Sequence, residues 1–208
     1  MLQLSTIDTS TLELLKKLMC FDEFKNMRLV GGTALALQIG HRKSIDLYFF
    51  GNIDFYNIYS AKTFADFKKV IILKSSKNIN ILSIDDVKVD FVNYNYPWLQ
   101  KELSIDGIRL ARLEDISAMK LAAITGRGSR KDFIDIYFLL QKYQLKELIQ
   151  FYNNKYFDGS EYMVLKSLTY FDDAEKDHGI EMIHKLSWNK VKNFILSTVN
   201  SYNENLKR

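Results

Sequence analysis

The stretch LVGGTALALQIGHRKSIDLYFF, residues 29–50, contains two apolar runs separated by a glycine pair and a short polar segment. The first run ends in Gly31 and Gly32. A helix-like segment follows over residues 33–39, and Asp46 lies within the second run. This order predicts strand, glycine turn, helix and strand, which places a helix N-terminus near a strand that carries a carboxylate. Backbone N–H groups at a helix N-terminus suit phosphate, and a carboxylate suits the magnesium that accompanies nucleotide phosphates.

The glycine pair has two interpretations. It is either a phosphate cradle beside a metal-binding carboxylate, or a tight turn whose glycines allow close packing. The nearby Arg42 and Ser44 favour the cradle, because arginine binds phosphate through two parallel charge-assisted hydrogen bonds. We therefore predict that nucleotide phosphates contact the following residues of this stretch: Gly31, Gly32, Thr33, Arg42 and Ser44.

A second carboxylate lies in the alternating run over residues 87–92. Period-two alternation places Lys88, Asp90 and Val92 on one face of the predicted strand. A carboxylate on an inner strand is costly to bury without a partner. Asp90 is therefore satisfied either by a cation such as Lys88 or by a metal ion, and the sequence leaves both explanations open.

The second half of the chain contributes a lysine and a basic loop. Lys120 lies among apolar neighbours in a predicted helix over residues 113–125, and a loop with Arg130 follows. Lys120 either extends from an amphipathic helix to solvent or binds a triphosphate with help from Arg130. Asp132 has the spacing of a helix cap after Ser129, but it is also placed to orient Lys120 or to accept a proton.

Composition limits the class of protein. The chain has 208 residues, is 47% hydrophobic and carries a net charge of +4, which permits a large core and an anionic partner without identifying one. Cys20 is the only cysteine, which argues against a disulfide framework and a thiolate zinc cluster. No apolar stretch approaches the roughly 20 residues that span a membrane. We expect a reduced, cytoplasmic protein with no membrane segment.

The patterns along the chain predict an α+β protein. Residues 1–110 form a mixed sheet-and-helix domain, and residues 111–208 form a helical domain. A capping box over residues 10–13 predicts the start of the first helix. Predicted strands cover residues 27–31, 45–50, 70–73, 79–82, 87–92 and 108–110. Further helices are predicted over residues 63–69, 113–125, 132–142 and 188–202, with a helical segment over 144–182 that breaks near Gly159.

Together these segments resemble the AbiEii-like nucleotidyltransferase toxins, a branch of the DNA polymerase β-like nucleotidyltransferase superfamily. The superfamily pattern is a glycine pair, a short spacer, an Asp-hydrophobic-acid motif and a third carboxylate on a later strand. Gly31-Gly32, Asp46 and Asp90 match it. Lys120 and the stretch KDFID at residues 131–135 match the second half of the family.

One position departs from that pattern. Tyr48 occupies the place expected to hold the second acid. Tyrosine is uncharged at neutral pH and is a poor magnesium ligand. Three explanations follow: Asp46 and Asp90 hold one magnesium ion together with phosphate oxygens, a nearby acid such as Asp54 substitutes, or the protein binds nucleotide without turnover.

The resemblance implies a nucleotidyltransferase-like mixed sheet with flanking helices and a helical C-terminal domain that completes the active-site cleft. It further implies a magnesium-dependent transfer of NMP from an NTP to a hydroxyl of an RNA, such as tRNA, or of a protein. Asp46 and Asp90 would bind the metal. Lys120, helped by Arg42 or Arg130, would hold the triphosphate, and Asp132 would support Lys120 or the attacking hydroxyl. The implied partner is a cognate antitoxin. The alternative, suggested by Tyr48, is a nucleotide- or RNA-binding module with no turnover.

Overall fold

The computed structural model describes residues 1–55, 62–177 and 179–206. Its described strands form a seven-stranded sheet in the order β3-β4-β5-β2-β1-β7-β6. The strands are β1 (Met27–Val30), β2 (Leu47–Gly51), β3 (Val70–Ser75), β4 (Ile79–Ile84), β5 (Val87–Asn93), β6 (Leu103–Ile105) and β7 (Ile108–Leu110). The described helices are α1 (Thr9–Met19), α2 (Gly31–Ile39), α3 (Leu113–Gly126), α4 (Arg130–Leu139), α5 (Leu145–Lys155), α6 (Glu161–Leu168), α7 (Asp172–Glu175) and α8 (Trp188–Leu206).

The chain divides into two compact units. The first comprises Met1–Asn95 and Lys101–Ala111, and the second comprises Tyr96–Gln100 and Arg112–Arg208. The first unit contains the sheet with α1 and α2, and the second contains the remaining described helices. The sequence places its boundary after residue 110 and has no signal that assigns the segment Tyr96–Gln100 to the helical unit.

The centre of the sheet is apolar on one face. β2 pairs with β1 in antiparallel orientation and with β5 in parallel orientation. Leu47 and Phe49 of β2 are fully buried, whereas the intervening Tyr48 is half-buried. The rings of Phe49 and Phe91 stack with centroids 5.3 Å apart, and Phe24 stacks on Phe91 at 4.7 Å. This aromatic core holds β2 and β5 in register, which positions the residues on their opposite face.

The strand–glycine–helix–strand prediction is confirmed. β1 ends at Val30, and α2 begins at Gly31. The helix ends before Gly40, whose φ of 71° lies in the left-handed region that glycine adopts at helix C-termini. The sheet strands predicted at 70–73, 79–82, 87–92 and 108–110 also form, and Asp85 and Asp86 make the turn between β4 and β5 with positive φ.

Two local predictions in the first unit differ from the structure. The capping box at residues 10–13 is wrong, because α1 begins at Thr9 and its N-cap residue, Asp8, makes no side-chain cap hydrogen bond. The helix predicted over 63–69 is reduced to one 3-10 turn, Lys62–Phe64. After it, the backbone N–H of Lys69 donates to Asp85 Oδ1 at 2.9 Å, a tertiary contact that replaces a helical one.

The strand β6 has no counterpart in the sequence prediction. Its three residues pair with β7 through a turn in which Gly107 has a φ of 78°. A strand this short has too few residues to show alternation, so its existence depends on the pairing with β7.

The helical unit follows the predicted order with shifted ends. α3, α4 and α8 match the predicted helices to within a few residues, and the break near Gly159 separates α5 from α6. A buried ion pair joins the segment Tyr96–Gln100 to these helices: Lys155 Nζ lies 2.7 Å from Asp115 Oδ1 and donates to the carbonyl of Pro97 at 2.7 Å. Among the described residues, no helix is both long and apolar enough to cross a membrane.

Candidate active site

Asp46, Tyr48 and Asp90 come together at the polar face of the sheet. In the parallel pair of β2 and β5, Tyr48 lies opposite Asp90. Asp46 immediately precedes β2 and is half-buried. Side chains two residues apart on an extended chain point to the same side, so Asp46 and Tyr48 face away from the buried core residues. The parallel register therefore places Asp90 on the strand next to β2, the strand that Asp46 directly precedes.

The start of α2 is tied to the entry of β2. The hydroxyl of Thr33 lies 2.8 Å from Ser44 Oγ and 2.5 Å from the backbone oxygen of Asp46. Since a carbonyl oxygen can only accept, Thr33 donates to Asp46 and accepts from Ser44. Through these two bonds the Thr33 side chain positions the backbone of Asp46. The phosphate-binding role predicted for the Thr33 N–H group stays a prediction.

Both glycines of the pair allow close approach of a neighbouring side chain. Gly31 has a φ of 71°, and a Cβ atom there would lie 3.1 Å from Tyr48 Cδ2. A Cβ atom on Gly32 would clash with the guanidinium of Arg42 and lie 3.3 Å from Ser44 Oγ. The structure thus supports the close-packing interpretation of the pair, and the groups packed against it are the cation and the hydroxyl predicted to bind phosphate.

Arg42 is almost entirely enclosed, with 3% of its surface exposed. Its Nη1 donates to the backbone oxygen of Lys43 at 2.9 Å. Burial of an arginine beside the first residues of a helix gives this end of the site a fixed positive charge, because the guanidinium does not lose its proton in proteins.

Lys88 lies beside Asp90 and the ring of Tyr48. Its Nζ is 3.3 Å from Asp90 Oδ1 and 5.4 Å from the centre of the Tyr48 ring. Burial lowers the pKa of Lys88, but its interactions with Tyr48, Asp90 and Asp46 outweigh burial, so its pKa lies above the ordinary value. Of the two explanations for Asp90, the ion pair with Lys88 is present in the structure.

A cleft of about 310 Å³ opens beside this face. Asp46 and Lys88 both line it, together with Asp8, Ser10, Thr11, Ile45, Asp85, Asp86 and Val87. Lys88 therefore reaches both the carboxylate of Asp90 and a cleft whose other charged lining residues, Asp8, Asp46, Asp85 and Asp86, are all acidic.

The carboxylates present suit one magnesium ion better than two. Two-metal catalysis uses carboxylates that bridge the ions, and two of the three carboxylates of the family pattern, Asp46 and Asp90, are present. Within the described ranges 1–55, 62–177 and 179–206, no group of three or more His, Cys, Asp or Glu is arranged to hold a metal. Two carboxylates do fit a single magnesium ion that takes its other ligands from phosphate and water.

Asp54 gains no support as the missing acid. It is exposed and follows Gly51, where β2 ends, whereas Asp46 precedes the opposite end of that strand. A strand advances about 3.3 Å per residue, so the length of β2 separates these two acids.

The second unit contains a buried lysine held by two carboxylates. Lys120 Nζ lies 2.9 Å from Asp132 Oδ1 and 2.6 Å from Asp135 Oδ2, and only 7% of Lys120 is exposed. Ser129 donates its hydroxyl to Asp132 Oδ2 at 2.6 Å. Lys120 therefore does not extend into solvent, and Asp132 is its ion-pair partner rather than a cap of α4.

The protonation of Asp132 follows from these contacts. Burial raises the pKa of Asp132, but the ammonium of Lys120 and the hydroxyl of Ser129 together outweigh burial, so the pKa lies below the ordinary value. A carboxylate with a lowered pKa is a weak base. This favours an orienting role for Asp132 over proton abstraction.

Arg130 has structural contacts within the second unit. Its Nε donates to Ala174 O at 2.9 Å and its Nη2 to Glu175 O at 3.0 Å, which satisfies carbonyl groups of α7. The guanidinium also lies 5.0 Å from the ring of Trp188. These bonds account for the position of Arg130, and its part in triphosphate binding stays a prediction.

The family model for the nucleotidyl transferase AbiEii toxin of type IV toxin–antitoxin systems matches residues 13–188. The chain belongs to the AbiEii family. A protein from Aquifex aeolicus (strain VF5), the uncharacterized protein aq_aa25, is 36% identical over 199 residues, which cover 93% of this chain and 96% of that protein. The resemblance noted in the sequence is confirmed.

Solved structures confirm the fold of this AbiEii-family chain. JHP933 from Helicobacter pylori matches with a TM-score of 0.61 at 18% identity, covering 97% of this chain and 95% of that one. MenT4, a nucleotidyltransferase toxin from Mycobacterium tuberculosis H37Rv, matches with a TM-score of 0.58 at 12% identity, covering 91% and 82%. The predicted α+β nucleotidyltransferase fold is therefore present.

Two contacts at these sites were not predicted from the sequence. The spacing in the sequence places Asp135 on the same helical face as Asp132 and does not predict its contact with Lys120, although its carboxylate lies closer to Lys120 than that of Asp132 does. The shared face was the available signal, because residues three apart on a helix are neighbours. Lys88 was recognised as sharing a face with Asp90, but its closeness to Tyr48 depends on the pairing of β2 with β5.

Proposed function

We propose that this AbiEii-family toxin transfers NMP from a magnesium-bound NTP to a hydroxyl group of an RNA, such as tRNA, or of a protein. The observation that carries the proposal is that Asp90 of β5 lies opposite Tyr48 of the neighbouring parallel strand β2, which Asp46 directly precedes, in a nucleotidyltransferase fold. The Gly31-Gly32 turn and the start of α2 flank the same strands. A metal-binding group and a phosphate-binding group are thus combined in one unit.

In the proposed reaction, the acceptor hydroxyl oxygen bonds to the α-phosphorus of the NTP. The bond from that phosphorus to the β-phosphate breaks, and pyrophosphate leaves. The hydroxyl proton passes to a carboxylate of the sheet face. Asp46 and Asp90 would hold magnesium, which neutralises charge that develops on the phosphate oxygens. The N–H groups of Gly32 and Thr33 would receive the β- and γ-phosphates, with Arg42 behind them.

Lys120 is proposed to bind the triphosphate, with Asp132 as the residue that orients it. Two short contacts to carboxylates fix the position of the ammonium. A lysine whose rotamer is already fixed loses less conformational entropy when it binds an anion. The family also implies an antitoxin that restrains the activity in the cell.

A second candidate function is nucleotide binding without turnover. It is favoured by Tyr48, which replaces an acid of the family pattern and fills the space between Gly31 and the ammonium of Lys88. Such a protein would bind NTP and depend on partners for its effect.

Nucleotide labelling tests the first proposal. Total RNA and protein are incubated with each of four labelled NTPs and magnesium. Labelling by the wild type should fall roughly a hundredfold or more in Asp46→Ala, because a group that stabilises transition-state charge is lost. Asp54→Ala is the matched control, since Asp54 is exposed beyond the other end of β2. Equal labelling by wild type and Asp46→Ala would remove Asp46 from the mechanism.

Restoring the acid at position 48 distinguishes the second candidate function from the first. If the wild type binds NTP but labels no acceptor, and Tyr48→Asp gains labelling, the chain is a binding module whose turnover was lost at residue 48. Labelling by the wild type excludes that outcome.

A further inference from the structure

The strand at one end of the described sheet, β3, exposes three consecutive apolar side chains. Ile71, Ile72 and Leu73 are 42%, 53% and 57% exposed. Successive side chains of a strand point to opposite faces, so exposure of three in a row means that both faces of β3 are open to solvent. An exposed apolar strand at the edge of a sheet is a template for pairing with another chain.

The backbone of β3 also has hydrogen-bonding groups that point away from the sheet. Among the described strands, β3 pairs with β4 alone, in antiparallel orientation and in a continuous register over residues 70–72. In such a ladder, residues that bond to the partner strand alternate with residues that do not. The N–H of Asp85 donates to Lys69 O at 2.9 Å, so the peptide groups of Lys69 face the β4 side. By alternation, those of Val70 and Ile72 point to the outer edge.

The end of the hairpin at which the chain turns from β3 to β4 is positively charged. Lys74 and Lys77 are exposed there, and residues 70–84 contain no Asp or Glu. Asp86 follows β4 at the opposite end of the hairpin, where it pairs with Lys69 at 2.9 Å. An acidic group that is brought next to Lys74 and Lys77 is therefore attracted by two exposed cations.

The acid of the sheet that is in register with Lys74 is paired elsewhere. Ile81 of β4 lies opposite both Lys74 and Asp90, which places Asp90 two strands away from β3. Neighbouring strands lie about 4.8 Å apart, so roughly 10 Å separates the two backbones. The carboxylate of Asp90 is instead 3.3 Å from the ammonium of Lys88.

These charges argue against a second copy of the chain as the occupant of this edge. In an antiparallel pair of two β3 strands centred on Ile72, Lys69 of one copy lies opposite Ser75 of the other, directly beside Lys74. Like charges on paired strands are destabilising, and lysine on an edge strand is a common means of preventing self-pairing. A nucleic acid would satisfy the lysines but would not continue the hydrogen-bond ladder of the sheet.

We propose that β3 is a docking strand for a protein partner, which adds an extended segment of its own to the outer edge. The segment bonds to the outward peptide groups at residues 70–72 and covers the exposed apolar side chains of β3 with apolar side chains of its own. It places Asp or Glu beside Lys74 and Lys77. In this mode of recognition, main-chain hydrogen bonds supply the affinity and side chains supply the specificity.

The test measures the binding of two fluorescent peptides to the full chain by anisotropy. The acidic probe has alternating valine and threonine between two pairs of glutamates, and the basic probe has lysines in place of the glutamates. The wild type should bind the acidic probe at least about tenfold more tightly, because several weak surface ion pairs are replaced by repulsion in the basic probe.

Two variants address the backbone and the charge separately. Ile72→Pro removes an N–H group that points to the outer edge, so it should weaken the acidic probe about tenfold or more and leave the bonds to β4 in place. Lys74→Glu combined with Lys77→Glu should reverse the preference between the two probes. The matched control, Lys142→Glu with Lys146→Glu, changes the net charge equally at exposed positions of the helical unit and should match the wild type.

The outcomes decide the proposal independently of nucleotidyl transfer. Unchanged binding of the acidic probe by both test variants would overturn it, and if Ile72→Pro unfolds, the charge-reversed variant alone decides. Displacement of the acidic probe by a uridine decamer would assign the edge to nucleic acid instead. A wild-type dimer in analytical ultracentrifugation that Lys74→Glu with Lys77→Glu dissociates would assign it to a second copy.

Discussion

Single residues in the second unit show how burial determines the contribution of an ion pair to the stability of the protein. Lys155 and Asp115 are both fully buried, with 2.7 Å between Nζ and Oδ1. The carboxylate also accepts from the N–H groups of Leu99 and Gln100, at 2.9 and 3.2 Å. A buried pair of this kind contributes little over an apolar pair, but removing one partner leaves an uncompensated charge.

We predict that Lys155→Met destabilises the protein by about 3–5 kcal/mol, because Asp115 is left buried without its cation. Urea unfolding followed by circular dichroism measures the change. The matched control is Lys69→Met, which breaks a pair with Asp86 of similar length, 2.9 Å, whose side chains are 56% and 78% exposed. The control should leave the midpoint nearly unchanged, and equal losses in the two variants would show that burial is not the deciding factor.

At the scale of elements, α2 is limited by a glycine at each end, and each glycine serves a different purpose. Gly31 makes room for Tyr48, whereas Gly40 ends the helix in the left-handed conformation. The N–H of Gly40 donates to Ala36 O at 2.8 Å, which satisfies a carbonyl group of the last turn. The length of α2 therefore determines where the chain turns towards Arg42 and Asp46.

Gly40→Ala should destabilise the protein by about 1–2 kcal/mol, because an L-residue is strained in the left-handed region. A Cβ atom would also lie 3.1 Å from Gln3 Cγ. Gly126→Ala is the control: it lies at the end of α3, and a Cβ atom there meets nothing within 4 Å. Relative to the wild type, the midpoint of thermal unfolding should fall for Gly40→Ala and rise slightly for Gly126→Ala. A stable Gly40→Ala variant would mean that the turn can change conformation without cost.

At the scale of the whole molecule, stability depends on pH through groups that join separate elements. In the helical unit, Tyr202 of α8 donates its hydroxyl to Glu161 Oε1 of α6 at 2.9 Å. Burial, followed by the bond to Glu161 and its charge, raises the pKa of Tyr202 to about 12. The folded protein thus retains a proton that the unfolded chain releases near the ordinary pKa of about 10.

A raised pKa stabilises the folded state below the unfolded value and loses that contribution as pH rises towards the folded value. We therefore predict that the free energy of unfolding falls between pH 10 and about 12, and that Tyr202→Phe shows a shallower fall over that window. Glu161→Gln, which keeps an acceptor but removes the charge, should be intermediate. Parallel curves for wild type and Tyr202→Phe from urea titrations at each pH would exclude this contribution.

Much of the fold was predictable because its signals are local. The alternation in β5 and the glycines around α2 depend on neighbours in the chain, and the structure agrees with them. The helix predicted over 63–69 failed because Lys69 bonds to Asp85, a residue far along the chain that no local pattern includes. The candidate site shows the same division: the sequence names Lys88 as a candidate partner of Asp90 and Asp132 as one of Lys120, whereas the contacts of Lys120 with Asp135 and of Lys88 with Tyr48 depend on the fold.

The sequence by itself determined the family and the order of strand, glycine turn, helix and strand. It also determined that position 48 holds a tyrosine where the family pattern has an acid. Periodicity and motif spacing carry that information, since both are properties of nearby residues. Only the tertiary structure decided that Lys88 lies beside Tyr48, that Asp135 shares Lys120 with Asp132, and that Tyr96–Gln100 joins the helical unit. Those contacts depend on strand register and helix packing, which bring together side chains that the linear pattern leaves apart.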